Sequence, residues 1–179
     1  MNEERYIILD RDGVINYESP EFIKTVDEWQ PIPRSLEAIK KLSEKDYQII
    51  IITNQSGINR KIINYSDFIK INLKMLKEIE NVGGSIVSII YSPHTPNEKN
   101  IFRKPEAGMF EEIARRLKFS LKNCYSIGDS PRDIKASIVS KCKPIGVRTG
   151  NGLTIENDNK YKIPIYDDLY DAVTAIIGK

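Results

Sequence analysis

Residues 6 to 18 read Tyr6-Ile7-Ile8-Leu9-Asp10-Arg11-Asp12-Gly13-Val14-Ile15-Asn16-Tyr17-Glu18. An apolar run stops at an acid, a second acid follows two places on, and Gly13 stands behind it. Asp and Gly are turn formers, so Asp-x-Asp-Gly alone reads as a turn. The other strand ends of the chain decide against that reading.

Short apolar runs recur along the chain and predict strands over Tyr6–Asp10, Gln48–Thr53, Ser85–Tyr91, Cys124–Gly128, Pro144–Arg148 and Lys162–Tyr166. They are rich in Ile and almost continuously apolar, as strands buried on both faces are. Helical patterns lie between them over 33–45, 66–80, 105–119, 131–140 and 167–177. Leu36, Ile39 and Leu42 form a stripe in the first, and Met109, Ile113 and Leu117 in the third. Ser66 reads as the N-cap of the second and Pro105 as the start of the third. Alternating strand and helix predicts an α/β fold: a central parallel sheet with helices on both faces, three layers in all.

In such a sheet, function sits beyond the carboxyl ends of the strands. The first predicted strand ends in Asp10, the second in Thr53-Asn54, the fourth in Gly128-Asp129. The third leads through Ser92-Pro93-His94 to Arg103-Lys104-Pro105. Each could be a turn residue, but four such ends on one rim form a chemical set. Asp10, Asp12 and Asp129 are hard oxygen donors suited to Mg²⁺. Lys104 is a point charge suited to phosphate, and Thr53 and Asn54 can donate to phosphoryl oxygens. A carboxylate can attack phosphorus directly. A second acid two residues along can protonate the leaving oxygen and later activate water. Gly13 lets the backbone turn away without crowding the phosphate.

Composition bounds the reading. The 179 residues suit one domain, 1–179, with 40% hydrophobic and 29% charged residues. A net charge of +2 gives no case for a nucleic-acid or membrane partner. No apolar run approaches the roughly 20 residues that span a bilayer. The opening MNEERYIILD does not read as a signal peptide. Cys124 and Cys142, outside any CxxC spacing, read as buried thiols of a cytoplasmic protein. No GxGxxG follows the first strand, which argues against a dinucleotide-binding domain.

LDRDGVI, ITNQ, RKP and GDSPRD, in that order, resemble the four motifs of the haloacid dehalogenase (HAD) superfamily of phosphatases. The resemblance spans nearly the whole chain. EWQPIPRSLEAIKKL, TNQSGINR, RKPEAGMF and VRTGNG are similar to the branch that contains D-glycero-D-manno-heptose 1,7-bisphosphate phosphatases and histidinol-phosphatases. The resemblance implies Asp10 as nucleophile, and Asp12 as general acid and base with its carbonyl on Mg²⁺. Thr53 and Asn54 would bind the phosphoryl group, and Lys104 would balance charge. Asp129 would ligate Mg²⁺ with Asp133 behind it. Arg103, Gln55 and Ser56 would face the substrate. The short intervals around Thr53 imply a capless member whose pocket is shaped by loops 16–32 and 92–103. The implied reaction is Mg²⁺-dependent removal of the 7-phosphate from a heptose bisphosphate by a monomer. Histidinol phosphate or another small phosphorylated metabolite is the alternative within the same chemistry, and a phospho-accepting switch domain the alternative outside it.

The chain departs from that branch in one loop. Many members hold a structural zinc there with one histidine and three cysteines. SPHTPNEKNIFRKP keeps His94 but has Ser92, Asn100 and Phe102 at expected cysteine positions. One histidine cannot make a four-ligand site, so no zinc is expected. His94 reads as a loop residue, Trp29 as packing, Arg60-Lys61 and Arg115-Arg116 as solvated, and 146–152 as an ordinary turn.

Overall fold

The computed structural model describes residues 5–178, so the first four residues of the opening segment and Lys179 lie outside it. Six strands form one all-parallel sheet in the order β3-β2-β1-β4-β5-β6. They are β1 (Arg5–Leu9), β2 (Tyr47–Asn54), β3 (Ser88–Ser92), β4 (Tyr125–Gly128), β5 (Lys143–Val147) and β6 (Ile165–Tyr166). The helices are α1 (Ser35–Glu44), α2 (Tyr65–Asn81), α3 (Gly108–Leu117), α4 (Pro131–Val139), α5 (Leu153–Asn157) and α6 (Leu169–Ile177).

Alternation along β1 builds both sides of the sheet. Ile7 and Leu9 pack with Ile39 and Leu42 of α1, Met75 of α2 and Val173 of α6. Tyr6 and Ile8 pack on the opposite face with Met109 and Ile113 of α3 and Ala136 of α4. Burial on both faces is why β1 and β2 carry unbroken apolar runs. A single α-helix occupies each crossover from β1 to β2 and from β2 to β3. No cap is inserted there among the described residues.

Strand β1 lies between β2 and β4, where the chain leaves in one direction and returns on the other side. This is the topological switch point, where a crevice opens. Leu9 is level with Ile51 on one neighbour and Ile127 on the other, so Asp10 emerges one residue short of the level of Thr53 and Asp129.

Several boundaries differ from the sequence expectation. Helix α2 starts at Tyr65 with Asn64 as N-cap, not at Ser66. Helix α3 starts at Gly108, not at Pro105. The turns between them are closed by Glu106 N–H donating to the Arg103 carbonyl and Gly108 N–H to the Ile101 carbonyl. The strand expected over Ser85–Tyr91 runs Ser88–Ser92, and the one over Lys162–Tyr166 shrinks to two residues. Helix α5 falls inside a stretch that carries no helical stripe in the sequence.

Loop 16–32 is fastened to the body. Trp29 is fully buried, and Lys74 Nζ donates to the carbonyls of Val26 and Trp29 at 3.0 and 2.9 Å. Cys124 and Cys142 are free and buried. No described helix is long and apolar enough to cross a membrane.

Candidate active site

Three carboxylates meet at the switch point. Asp10, Asp129 and Asp133 are buried, and each offers an oxygen within 4.8 Å of the others. Lys104 joins them, with Nζ 2.9 Å from Asp10 Oδ1 and 2.6 Å from Asp133 Oδ1, and it also donates to the Ile52 carbonyl at 2.8 Å. Burial of a charge in this way requires close partners.

The position of Lys104 follows from Asn54. The Asn54 amide donates to the Lys104 carbonyl at 3.0 Å and accepts from the Lys104 N–H at 3.1 Å. The Asn54 side chain thus holds the Lys104 backbone, while Asn54 itself also lines the adjoining cavity. Asp133 has two tasks: one oxygen faces Lys104, and the other accepts from the Ser130 N–H at 3.0 Å and from the Ser130 hydroxyl, closing the start of α4.

The carboxyls differ in charge state. Burial, then the Asp133 charge, push Asp10 up to about 7 against the pull of Lys104. Burial, then the charges of Asp10 and Asp133, push Asp129 up to about 8. Burial also raises Asp133, but Lys104 outweighs it and holds that carboxyl below the ordinary range. Lys104 is pulled down by burial and raised overall by its two carboxylates.

Asp12 sits at the cavity wall in a separate clamp. Arg11 grips it with Nε on Oδ1 and Nη2 on Oδ2, both at 3.1 Å. The Asn16 amide donates to Oδ1 at 2.8 Å and the Gln55 amide to Oδ2 at 2.7 Å. Burial raises this carboxyl, but Arg11, Asn16 and Gln55 together hold it below the ordinary range. Arg11 is itself buried and reaches Asn72 Oδ1 of α2 at 3.4 Å. Nothing in the motif order marks Arg11 as a site residue; its place between two acids is the one signal the sequence carries. Gln55 also donates to Thr53 Oγ1 at 2.9 Å, so one amide spans Asp12 and Thr53.

The loop after β5 also reaches the site, although its sequence suggested only a turn. The Asn151 N–H donates to Asp129 Oδ2 at 2.8 Å, and Thr149 Oγ1 donates to the Gly13 carbonyl at 2.6 Å. Gly13 and Gly150 both adopt positive φ and abut Asp129: a Cβ on either would lie 2.1 Å from Asp129 Oδ2. Two glycines are what allow two loops to close on that carboxylate.

The all-oxygen donor set suits Mg²⁺. Asp129 Oδ1 is buried and accepts no hydrogen bond, leaving an acceptor aimed into the cluster. Above it lies a cavity of about 270 Å³, lined by Asp10, Asp12, Thr53 and Asn54 together with residues of loops 16–32 and 92–103. Gln55, Ser56 and Arg103 also line it. Arg60, read as solvated, also reaches its wall, and Glu18 and Arg132 do so without having been singled out from the sequence. His94 does not line it; its ring lies 3.5 Å from Glu98 and its carbonyl accepts from Arg103 Nη1 at 2.6 Å.

The chain matches known proteins over most of its length. Residues 7–142 fit the family model described as polynucleotide kinase 3 phosphatase. The D-glycero-beta-D-manno-heptose-1,7-bisphosphate 7-phosphatase of Bordetella bronchiseptica is 40% identical over 148 residues, 83% of each chain. That of Pseudomonas aeruginosa is 37% identical over 172 residues, 96% of this chain and 97% of the relative. A crystal structure of the B. bronchiseptica D,D-heptose 1,7-bisphosphate phosphatase complexed with magnesium and phosphate superposes with a TM-score of 0.94 at 35% identity, covering 97% and 98% of the two chains. Fold and site thus define a HAD-type phosphoric monoester hydrolase. The chain belongs to the haloacid dehalogenase superfamily, in the branch of the D-glycero-D-manno-heptose-1,7-bisphosphate 7-phosphatases.

Proposed function

We propose that this protein is a Mg²⁺-dependent D-glycero-β-D-manno-heptose 1,7-bisphosphate 7-phosphatase working through a phosphorylated Asp10. The observation that carries the chemistry is Asp10 at the switch point, with Lys104 2.9 Å from one oxygen and Asp12 on the cavity wall two residues on. High coverage by relatives of that name supports the substrate.

An Asp10 oxygen attacks phosphorus while Thr53 and the cavity rim hold the phosphoryl oxygens. Lys104 stays charged throughout and offsets the negative charge around the nucleophile. Asp12 delivers a proton to the departing sugar oxygen, then takes one from the water that cleaves the acyl phosphate. At rest Asp12 is a carboxylate, suited to the second step; the negative charge of an arriving phosphate favours its protonated form for the first. Mg²⁺, held by Asp10, Asp129 and the Asp12 carbonyl with Asp133 behind them, would neutralise phosphoryl charge. Asn54 acts through Lys104, and Gln55 through Asp12 and Thr53. Arg103 and Ser56 face the sugar.

Residues 1–179 act as one hydrolase domain, a monomer in the cytoplasm, on a small metabolite and not on nucleic acid. No structural zinc is part of this reading. Loop 92–103 is tied by side chains: Thr95 N–H and the Asn59 amide donate to Glu98, and Phe102 N–H donates to Asn100 Oδ1.

Phosphate release with Mg²⁺ would be compared across both anomers of heptose 1,7-bisphosphate, fructose 1,6-bisphosphate, histidinol phosphate and a 3′-phosphorylated oligonucleotide. The β-heptose bisphosphate is expected to give the highest kcat/KM. Equal turnover of all five would defeat the substrate assignment, and a preference for the oligonucleotide would redirect it to nucleic acid.

A further inference from the structure

Arg132 occupies a junction that the phosphoryl chemistry leaves unexplained. It lies between the helix-starting Pro131 and the buried Asp133, and its side chain lines the catalytic cavity. The same side chain lines a second, adjoining groove of about 590 Å³, together with Lys99 and Arg103. Arg103 and Pro96 are likewise shared by both spaces. The catalytic cavity alone is small for a sugar carrying two phosphates, since ligand pockets run from about 300 to 1,000 Å³. The groove extends it past Arg132.

Against the cost of burial, the charges of Asp133, Asp10, Glu18 and Asp129 favour a charged Arg132, but its hydrogen bonding is incomplete. Glu18 is the carboxylate paired with Arg132, at 3.7 Å, too long for a hydrogen bond. Arg132 Nε is buried and has no hydrogen-bond partner. Arg103 donates to a carbonyl, not to an acid, and Arg60 adds a third guanidinium on the cavity wall. Burial, then the charges of Arg132 and Arg60, push Arg103 below its ordinary value, as expected where like charges converge. Guanidinium groups with free donors are suited to bidentate binding of an oxyanion.

We propose that Arg132 is the specificity-determining residue for the second phosphate of the substrate, the one that is not cleaved, which it binds where the catalytic cavity meets the groove. The inference rests on the bisphosphate reading above. Arg132 then selects bisphosphates over monophosphates, while Asp10, Asp12 and Lys104 act on whichever phosphate reaches them.

The test compares kcat/KM for D-glycero-β-D-manno-heptose 1,7-bisphosphate with kcat/KM for the 7-monophosphate. Any general damage to the site by a substitution beside Asp133 affects both substrates and cancels in the ratio. Wild type is expected to favour the bisphosphate. Arg132→Gln is expected to lower the ratio by about tenfold or more, mainly through KM. Arg132→Lys, which keeps the charge, is expected to recover part of the loss. If Arg132→Gln does not fold, Arg132→Met, which keeps an unbranched apolar stem, carries the same readout. A bisphosphate preference in wild type that survives both neutral substitutions would overturn the role of Arg132 and leave the function standing. A lysine variant no better than glutamine would overturn it as well. A wild-type ratio near one would overturn the bisphosphate reading and Arg132 with it.

Discussion

Lys104 Nζ lies 2.9 Å from Asp10 Oδ1 and is almost wholly enclosed, with Asp133 on its other side at 2.6 Å. One cation therefore holds two buried carboxylates that would otherwise repel. Lys104→Met should lower stability at pH 7 by about 3 kcal/mol or more, because breaking a buried pair strands the remaining charge. Denaturant titration reads this. Turnover should fall by at least about a hundredfold, the usual cost of losing a charge-stabilising group at a reacting centre. A stable, active variant would show that Lys104 is not needed to balance Asp10.

The raised carboxyls give a pH dependence of definite sign. Asp10 and Asp129 have folded values of about 7 and about 8 against an ordinary 3.8. A raised carboxyl binds its proton more tightly folded than unfolded, so its stabilising effect is full below the ordinary value. That effect is lost as pH climbs through the folded value, here between roughly pH 4 and pH 8. Mg²⁺ requires both carboxylates ionised and reverses the loss. The rise in Tm on adding Mg²⁺ should therefore be larger at pH 8.5 than at pH 6. Equal shifts at the two pH values would contradict this.

Gly13 and Gly150 permit the approach of two loops to Asp129. Gly13→Ala places a Cβ 2.1 Å from Asp129 Oδ2 at a φ of +80°. It should cost about 2 kcal/mol of stability and weaken Mg²⁺ binding by displacing that carboxylate. Isothermal titration with Mg²⁺ would detect it; wild-type affinity would mean that Asp129 tolerates the shift.

Much of this architecture was legible in sequence because strands buried on both faces cannot avoid apolar runs: IILD, IIIIT and YSIGD each announce a strand and the residue at its tip. The site acids were legible for the same reason. Helix starts were less so. Pro105 looks like a first helical residue, yet the chain spends 105–107 in turns that let Asn54 grip the Lys104 backbone before α3 begins. Arg11, Asn151 and Arg132 were hidden because their roles depend on contacts across the fold. Arg11 reaches Asn72, Asn151 reaches Asp129, and Arg132 meets Glu18, none of which a local pattern encodes.

Loop 92–103 carries His94 but no cysteine, and it is expected to hold its shape without zinc. Glu98 accepts from Thr95 and from Asn59, and these hydrogen bonds, with the neighbouring His94, hold its carboxyl down at about 2. Purified protein should contain only substoichiometric zinc by elemental analysis, and chelation should leave loop 92–103 unchanged. Glu98→Ala should speed amide exchange in 94–100. Tightly bound zinc at one per chain would refute this account of the loop.

The proposed Mg²⁺-dependent heptose bisphosphatase depends on Asp10 as its nucleophile. The decisive measurement is phosphate release from D-glycero-β-D-manno-heptose 1,7-bisphosphate, in parallel for wild type and Asp10→Asn with Mg²⁺. Wild type should turn over the substrate, and Asp10→Asn should be slower by about a thousandfold or more while remaining folded. An Asp10→Asn enzyme within tenfold of wild type would contradict the claim.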